Sequence, residues 1–191
     1  MNKRWLMLVF AVLAAVQVAV PVAMMLQREP ILRTGRVYKF RTRPVDPYDA
    51  FRGRYVQLAF EQNHAPWRSH DEAQRGMELF AVVTTGTNGF AEIREVASEP
   101  PAQGDYVKAV AIWPGWGTNA GSVYFTLPFD RYYLEETKAP QAEKTYWEHN
   151  RRNQTNSDTY AVVRIKDGEA VLADLYVADK PIRDYFTKRK P

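Results

Sequence analysis

Apolar and polar positions along this chain fall into two regimes that meet near residue 27. From Trp5 to Leu26 there are 22 residues without a charge, and only Gln17 among them is strongly polar. This first regime predicts a membrane-spanning helix, because crossing about 30 Å of hydrocarbon takes roughly 20 apolar residues, while a signal-peptide core has about 7 to 15. A cleavage site would need small residues at two flanking positions, yet Ala23 has Pro21 two places upstream and Ala19 has Gln17. The segment therefore reads as an uncleaved signal anchor. Pro21 is compatible with that reading, since spanning helices tolerate proline.

Past Leu26 the pattern breaks into short alternating runs punctuated by Gly, Pro and Asn, which is how half-buried strands read. Val37 and Phe40 begin the series, followed by Tyr55–Phe60, Leu79–Val83, Phe90–Ile93, Tyr106–Ile112 and Val123–Leu127. Thr159–Ile165 and Glu169–Val177 flank Lys166-Asp167-Gly168, and Asp-Gly between alternating runs is a strong hairpin signal. Thr85-Gly86-Thr87-Asn88-Gly89 predicts a second hairpin, between Leu79–Thr84 and Phe90–Ala97. Ala139–Asn153 lacks glycine and is rich in Gln, Ala, Glu, Lys and Arg, with Pro140 near its start, so it predicts a surface helix. A weaker helix signal lies around Ser69–Gly76, where Ser69 and Glu72 have capping-box spacing. About nine strands with one or two short helices predict a mainly β protein: residues 27–191 form one antiparallel β-barrel or sandwich-like domain behind a short tail at 1–4 and the anchor at 5–26.

Composition narrows the setting. The 165 residues after Leu26 suit one domain, and beyond Lys3 and Arg4 the chain holds 24 basic against 22 acidic residues, which gives no reason to expect a nucleic-acid partner. Zero cysteines exclude disulfides, thiol catalysis, Cys-ligated zinc and a lipidated cysteine. Charge is concentrated locally: residues 28–54 hold eight Lys/Arg against Glu29, Asp46 and Asp49. That stretch reads either as attraction to anionic headgroups or as a strand with a solvated face. Lys3 and Arg4 precede the span and six basic residues follow within about 20, so the positive-inside rule taken literally keeps the domain in the cytoplasm. Long domains translocate largely regardless of charge, and a short basic N-terminus before a long apolar run also begins a signal anchor. The expectation is a single pass in a bacterial inner membrane, N-terminus inside, domain on the periplasmic side, with the lipid bilayer as first partner.

Signals for chemistry are sparse. His64, His70 and His149 are the only histidines. His64, His70, Asp71 and Glu72 offer metal-ligand types without metal-ligand spacing, so neither a metal nor a cofactor is expected. Gly115-Trp116-Gly117 after Pro114 lacks the context of a phosphate loop and reads as a turn, and no Gly-x-Ser-x-Gly elbow occurs. Asn153-Gln154-Thr155 fits a glycosylation sequon. Tyr124, Phe125, Phe129, Tyr132, Tyr133, Tyr146 and Trp147 read as core and helix docking, with a ligand groove as the alternative.

The run Asp46-Pro47-Tyr48-Asp49-Ala50-Phe51-Arg52-Gly53-Arg54-Tyr55-Val56-Gln57-Leu58-Ala59-Phe60 resembles the signature of the GDYXXLXY family, bacterial membrane-anchored proteins named for that motif. Gly53, Tyr55 and Leu58 match; Arg54 replaces the acidic residue and Phe60 the final tyrosine. Leu127-Pro128-Phe129-Asp130-Arg131-Tyr132-Tyr133-Leu134-Glu135-Glu136 is similar to the family's second block, and Tyr160–Val177 to its closing strand pair. The resemblance implies a place and a fold but no activity. It marks Asp46, Pro47, Arg52, Gly53, Tyr55, Leu58, Tyr133 and Glu135 as structural or partner-binding positions. Alternation by itself places Tyr55 and Gln57 on one strand face and Val56, Leu58 and Phe60 on the other. Gly53 reads as a tight turn, with Asp46 and Asp49 placed to cap or bridge to Arg52 and Arg54.

Asp105–Gly115 also resembles the lysine-bearing strand of type I signal peptidases, with Lys108 at the lysine position. No serine occurs between 35 and 68, where the partner nucleophile should lie, so that dyad cannot be built. Two functions follow as expectations. The first is a non-enzymatic accessory or binding module for another membrane or envelope protein. The alternative is an anchored hydrolase acting on peptides or envelope polymers through Lys108 or through the loop that carries His64, His70 and Glu72.

Overall fold

The computed structural model describes residues 3–43, 55–115, 121–135, 138–149 and 158–186. It opens with a 32-residue helix, α1 (Lys3–Thr34), long and apolar enough to cross a membrane by length and composition. The apolar part is bare: no residue of its most apolar window is buried against the domain. The helix outruns the apolar segment by two turns. Glu29 and Arg33 pair at 2.7 Å across one turn, and the Thr34 hydroxyl donates to the Pro30 carbonyl at 2.9 Å. Gly35 ends the helix by donating its N–H to the Ile31 carbonyl at 2.9 Å, at a place where any Cβ would run into that same oxygen. Ile31 is buried, and the chain passes directly into the first strand, so helix and domain meet without a linker.

Two five-stranded antiparallel sheets follow. β1 (Arg36–Arg43), β3 (Ala59–Phe60), β10 (Thr159–Lys166), β11 (Glu169–Val177) and β12 (Lys180–Pro181) make the first, in the order β12-β11-β10-β1-β3. β4 (His64–Pro66), β5 (Glu78–Thr85), β6 (Ala91–Ala97), β7 (Asp105–Pro114) and β8 (Ser122–Thr126) make the second, in the order β4-β8-β7-β5-β6. This second sheet curls until its edges nearly meet: Trp67, just past β4, bridges Val96 on β6, and the Arg68 N–H donates to the Val96 carbonyl at 3.0 Å. Single extra residues at Arg94, Ile112 and Ala173 interrupt the ladders β5–β6, β7–β8 and β10–β11. Bulges of this kind increase local twist, which a sheet needs in order to close.

Alternation sets the core: Leu79, Ala81 and Val83 of β5 and Val107, Ala109 and Ala111 of β7 are buried, with Leu79 paired to Ala109 and Ala81 to Val107, and Ala161, Val163 and Ile165 of β10 are the buried set of the first sheet. Both predicted hairpins are present, in the registers Thr85↔Ala91 and Lys166↔Glu169. Asp167 and Gly168 have φ of +51° and +81°, as a two-residue type I′ turn requires. A side chain at Gly168 would also strike the Tyr106 ring, and this tip docks on β7 through a bond from the Lys108 N–H to the Gly168 carbonyl at 3.0 Å.

Two expectations need correction. Ser69–Gly76 is not helical. The Ser69 hydroxyl is taken by Ser98, whose N–H donates to it at 2.7 Å, and the Gly76 N–H reaches across to the Ala111 carbonyl at 2.8 Å, so the segment's bonds run between strands rather than along a helix. Tyr55–Phe60 is two strands rather than one: at Leu58 the chain leaves one partner, β9 (Arg131–Tyr133), for another, β1, and β2 is only Tyr55–Gln57. The predicted surface helix is α2 (Ala139–His149), and residues 150–153 lie outside the described residues.

An ionic contact closes the seam between the sheets. The Tyr38 hydroxyl and the Arg36 guanidinium both donate to Asp105 Oδ2, at 2.6 and 3.0 Å. Burial, helped by the bond to Asp105, pushes the Tyr38 hydroxyl up to about 12. Burial pushes the Asp105 carboxyl up, but the bonds from Tyr38 and Arg36 outweigh it and hold the group below its ordinary 3.8. Tyr160 is likewise raised to about 12 by burial and its bond to Asp179. A folded pKa above the ordinary 10 stabilises the fold fully below pH 10, and that contribution disappears as pH rises through 12. Urea midpoints of the full chain in detergent, followed by far-ultraviolet circular dichroism, should therefore fall between pH 10 and 12. Tyr38→Phe should lower the midpoint at pH 8 and make the alkaline fall shallower; an equally steep fall in the variant refutes the assignment.

Candidate functional site

The two motif blocks, whose paired residues are 74 to 78 positions apart in sequence, meet as a two-stranded antiparallel ribbon. β2 pairs with β9 in the register Tyr55↔Tyr133, Val56↔Tyr132, Gln57↔Arg131. Alternation separates the two faces. Val56 is fully buried and Tyr132 partly so, while Tyr55, Gln57, Arg131 and Tyr133 point the other way. The rings of Tyr55 and Tyr133 lie 5.6 Å apart, and the Arg131 guanidinium sits 5.2 Å from the centre of the Tyr55 ring. Tyr133 is 66% exposed, which is unusual for so large a side chain with an aromatic neighbour.

Beneath the ribbon, Leu58, Phe60, Leu127 and Phe129 enter the core. Asp130 pins the blocks together: its carbonyl accepts the Leu58 N–H at 2.7 Å and its carboxylate accepts the Gln57 amide at 3.1 Å. A cleft of about 140 Å³ opens beside this junction, lined by Gln57, Gln62, Asn63 and Asp130 among others.

The ribbon's inner side is held by a buried carboxylate. Asp174 accepts the Tyr132 hydroxyl at 2.9 Å and the Leu175 N–H at 3.0 Å on Oδ1. Arg183 lies 2.8 Å from Oδ2 as a charge contact rather than a directed hydrogen bond. Burial, followed by the bond to Asp174, raises the Tyr132 pKa well above that of a free tyrosine, so the hydroxyl stays a donor.

Of the residues singled out in the sequence, Tyr55, Leu58 and Tyr133 come together here. Glu135 lies just beyond, exposed and paired with Lys138 at 2.8 Å. Asp46, Pro47, Arg52 and Gly53 lie outside the described residues, as do Asp49, Arg54, Trp116, Gly117 and the sequon at 153–155. Lys108 is elsewhere, on β7, bonded to Glu169 at 3.1 Å. That bond raises its pKa, opposite to the shift a lysine base requires. His64 stacks on Tyr124 at 5.2 Å and bonds Asn63, while His70 is exposed on the segment after β4; the hollow that Lys108 lines includes neither. Among the described residues no three His, Asp or Glu side chains gather as a metal site.

The basic stretch is partly absorbed into the fold. Arg33 and Arg36 are ion-paired, Lys39 lies over Tyr160, and Arg41 lies 4.1 Å from the centre of the Phe90 ring. Of the aromatic cluster, Phe125, Phe129 and Tyr146 are buried, with Tyr132 and Trp147 packed against the core. Sequence reading missed Arg131 and Asp174. Asp174 left one signal, a charge in the interior of a strand whose only other charge, Glu169, is at its start.

A family model described as GDYXXLXY protein matches residues 17–175, most of the chain. No curated protein and no solved structure matches it.

Removing the Tyr132 hydroxyl leaves a buried carboxylate oxygen without one of its donors, a loss of about 1–3 kcal/mol. Tyr132→Phe should lower the urea midpoint by that amount, whereas Tyr133→Phe, altering an exposed ring, should leave it within about 0.5 kcal/mol. Equal losses from the two variants would refute this division of the ribbon.

Proposed function

The chain belongs to the GDYXXLXY family, and from that premise we propose that it is a non-enzymatic binding module held by a single pass in the bacterial cytoplasmic membrane. Its N-terminus lies inside, and its β-domain on the periplasmic side presents the β2–β9 ribbon to another envelope protein. The observation that carries this reading is the exposed Tyr133 ring, backed by Tyr55 and flanked by Arg131, at the point where both motif blocks converge. Tyr and Arg are the side chains that dominate interface hot spots, since each combines a large apolar face with a polar end. Asp174 and Tyr132 support the ribbon from below, which limits the entropy lost when a partner docks. The side of the membrane is supported by the short basic N-terminus and the long following domain.

Two measurements test this reading. A photo-crosslinking residue at position 133 should give one adduct of defined mass in intact cells, lost when Tyr55 and Arg131 are replaced by Ala. Adducts no more frequent than from the same probe at exposed Glu92 would overturn it. Because the natural chain has no cysteine, Glu99→Cys supplies a unique thiol, which a membrane-impermeant maleimide should label in spheroplasts before lysis. Labelling only after lysis would overturn the orientation.

A further inference from the structure

Where α1 meets the domain, a hollow of about 290 Å³ opens between the helix and the walls formed by β5, β7, β8 and β11. Arg28 of the helix, Glu78, Lys108 and Glu169 contribute its charged groups, and Leu127 and Pro128 part of its apolar wall. We propose that this hollow binds the headgroup of a membrane phospholipid carrying both a phosphate and a primary ammonium, the phosphoethanolamine class. The inference rests on the anchoring reading above.

Position is the first argument. Arg28 lies two residues beyond Leu26, where the apolar stretch ends, so at 1.5 Å per residue it sits about 3 Å above the hydrocarbon boundary. Bilayer dimensions leave a headgroup layer of about 5–7 Å on each side, and the hollow opens into that layer. Gly35 and buried Ile31 join helix to domain without a linker, so the hollow keeps its depth as the protein tumbles.

Charge points to the same ligand. The lining offers two cations and two carboxylates around an apolar wall. Arg28 and Glu78 make no ion pair within 4 Å among the described residues, and the Lys108–Glu169 pair is half exposed at 3.1 Å, a type of contact worth little in water. A phosphate would be held by Arg28 and Lys108 through charge-assisted bonds, for which the guanidinium fork is well shaped. An ammonium two carbons away would donate to Glu78 and Glu169. A purely anionic headgroup leaves both carboxylates facing negative charge, and a choline headgroup has no N–H to donate to them.

The test uses the full chain in phosphatidylcholine nanodiscs containing equal minor amounts of phosphatidylethanolamine and phosphatidylglycerol, with lipids that stay bound counted by native mass spectrometry. Relative to abundance in the disc, wild type should retain phosphatidylethanolamine at least about tenfold over either of the other two, the preference that even one charge-assisted hydrogen bond gives. Arg28→Ala should lower retention of all three lipids, since each carries the phosphate, and the double variant Glu78→Gln with Glu169→Gln should abolish the preference, while Arg33→Ala, further along the same helix, should change neither. Recovery of each variant in the nanodisc fraction is scored separately, so failure of anchoring is distinguishable from failure of headgroup selection. Equal retention of the three lipids by inserted wild type overturns the proposal. So does a preference that survives loss of both carboxylates, retention unchanged by loss of Arg28, or displacement of the lipid by millimolar inorganic phosphate, which would show a free-phosphate site.

Discussion

Phe129 lies with its ring centre 5.1 Å from both Phe40 and Phe60, and this three-ring contact is the junction on which the rest of the domain depends. Phe40 belongs to the first strand, Phe60 to the end of the first motif block and Phe129 to the second block. Burying them together brings the two blocks into register, because Asp130 and Arg131 follow Phe129 immediately and have no other place to go than alongside Leu58 and Gln57. Deleting a core aromatic typically costs about 3–5 kcal/mol, several times a single hydrogen bond. The polar pins at Asp130 therefore select among arrangements that the rings have already made compact.

Two kinds of outward surface result. Many charged side chains among the described residues are paired or laid over aromatic faces: Arg36 with Asp105, Arg68 with Glu95, Arg41 over Phe90, Lys39 over Tyr160. The ribbon and the helix–domain hollow differ from that surface. One displays an exposed tyrosine supported by a second ring, and the other gathers charge of both signs around an apolar wall. Each depends on a feature that alternation alone does not supply: the change of strand partner at Leu58, and the helix running two turns past its apolar stretch.

The buried pair Asp174–Tyr132 shows how an unfavourable group becomes tolerable. A carboxylate out of water costs several kcal/mol unless it is bonded and paired, and here a hydroxyl, a backbone N–H and a guanidinium share the task. Ala173, the extra residue in its strand, shifts the ladder beside it. No propensity of Asp or Ala for strands would have placed them so.

What the sequence determined by itself was everything carried by local period and turn chemistry. The uncharged run from Trp5, the alternating strands, the Asp-Gly and Asn-Gly hairpins and α2 were all legible, because each depends on residues close together in the chain. The faces of Tyr55–Phe60 were legible too, since strand period is independent of partner. Tertiary structure alone decided that Tyr55 meets Tyr133, that Ser69 serves Ser98 instead of a helix, that Lys108 faces Glu169, and that α1 continues to Thr34. These are contacts between residues 29 to 78 positions apart, or ends fixed by them, and their energies come from burial and pairing that exist only once the chain has closed.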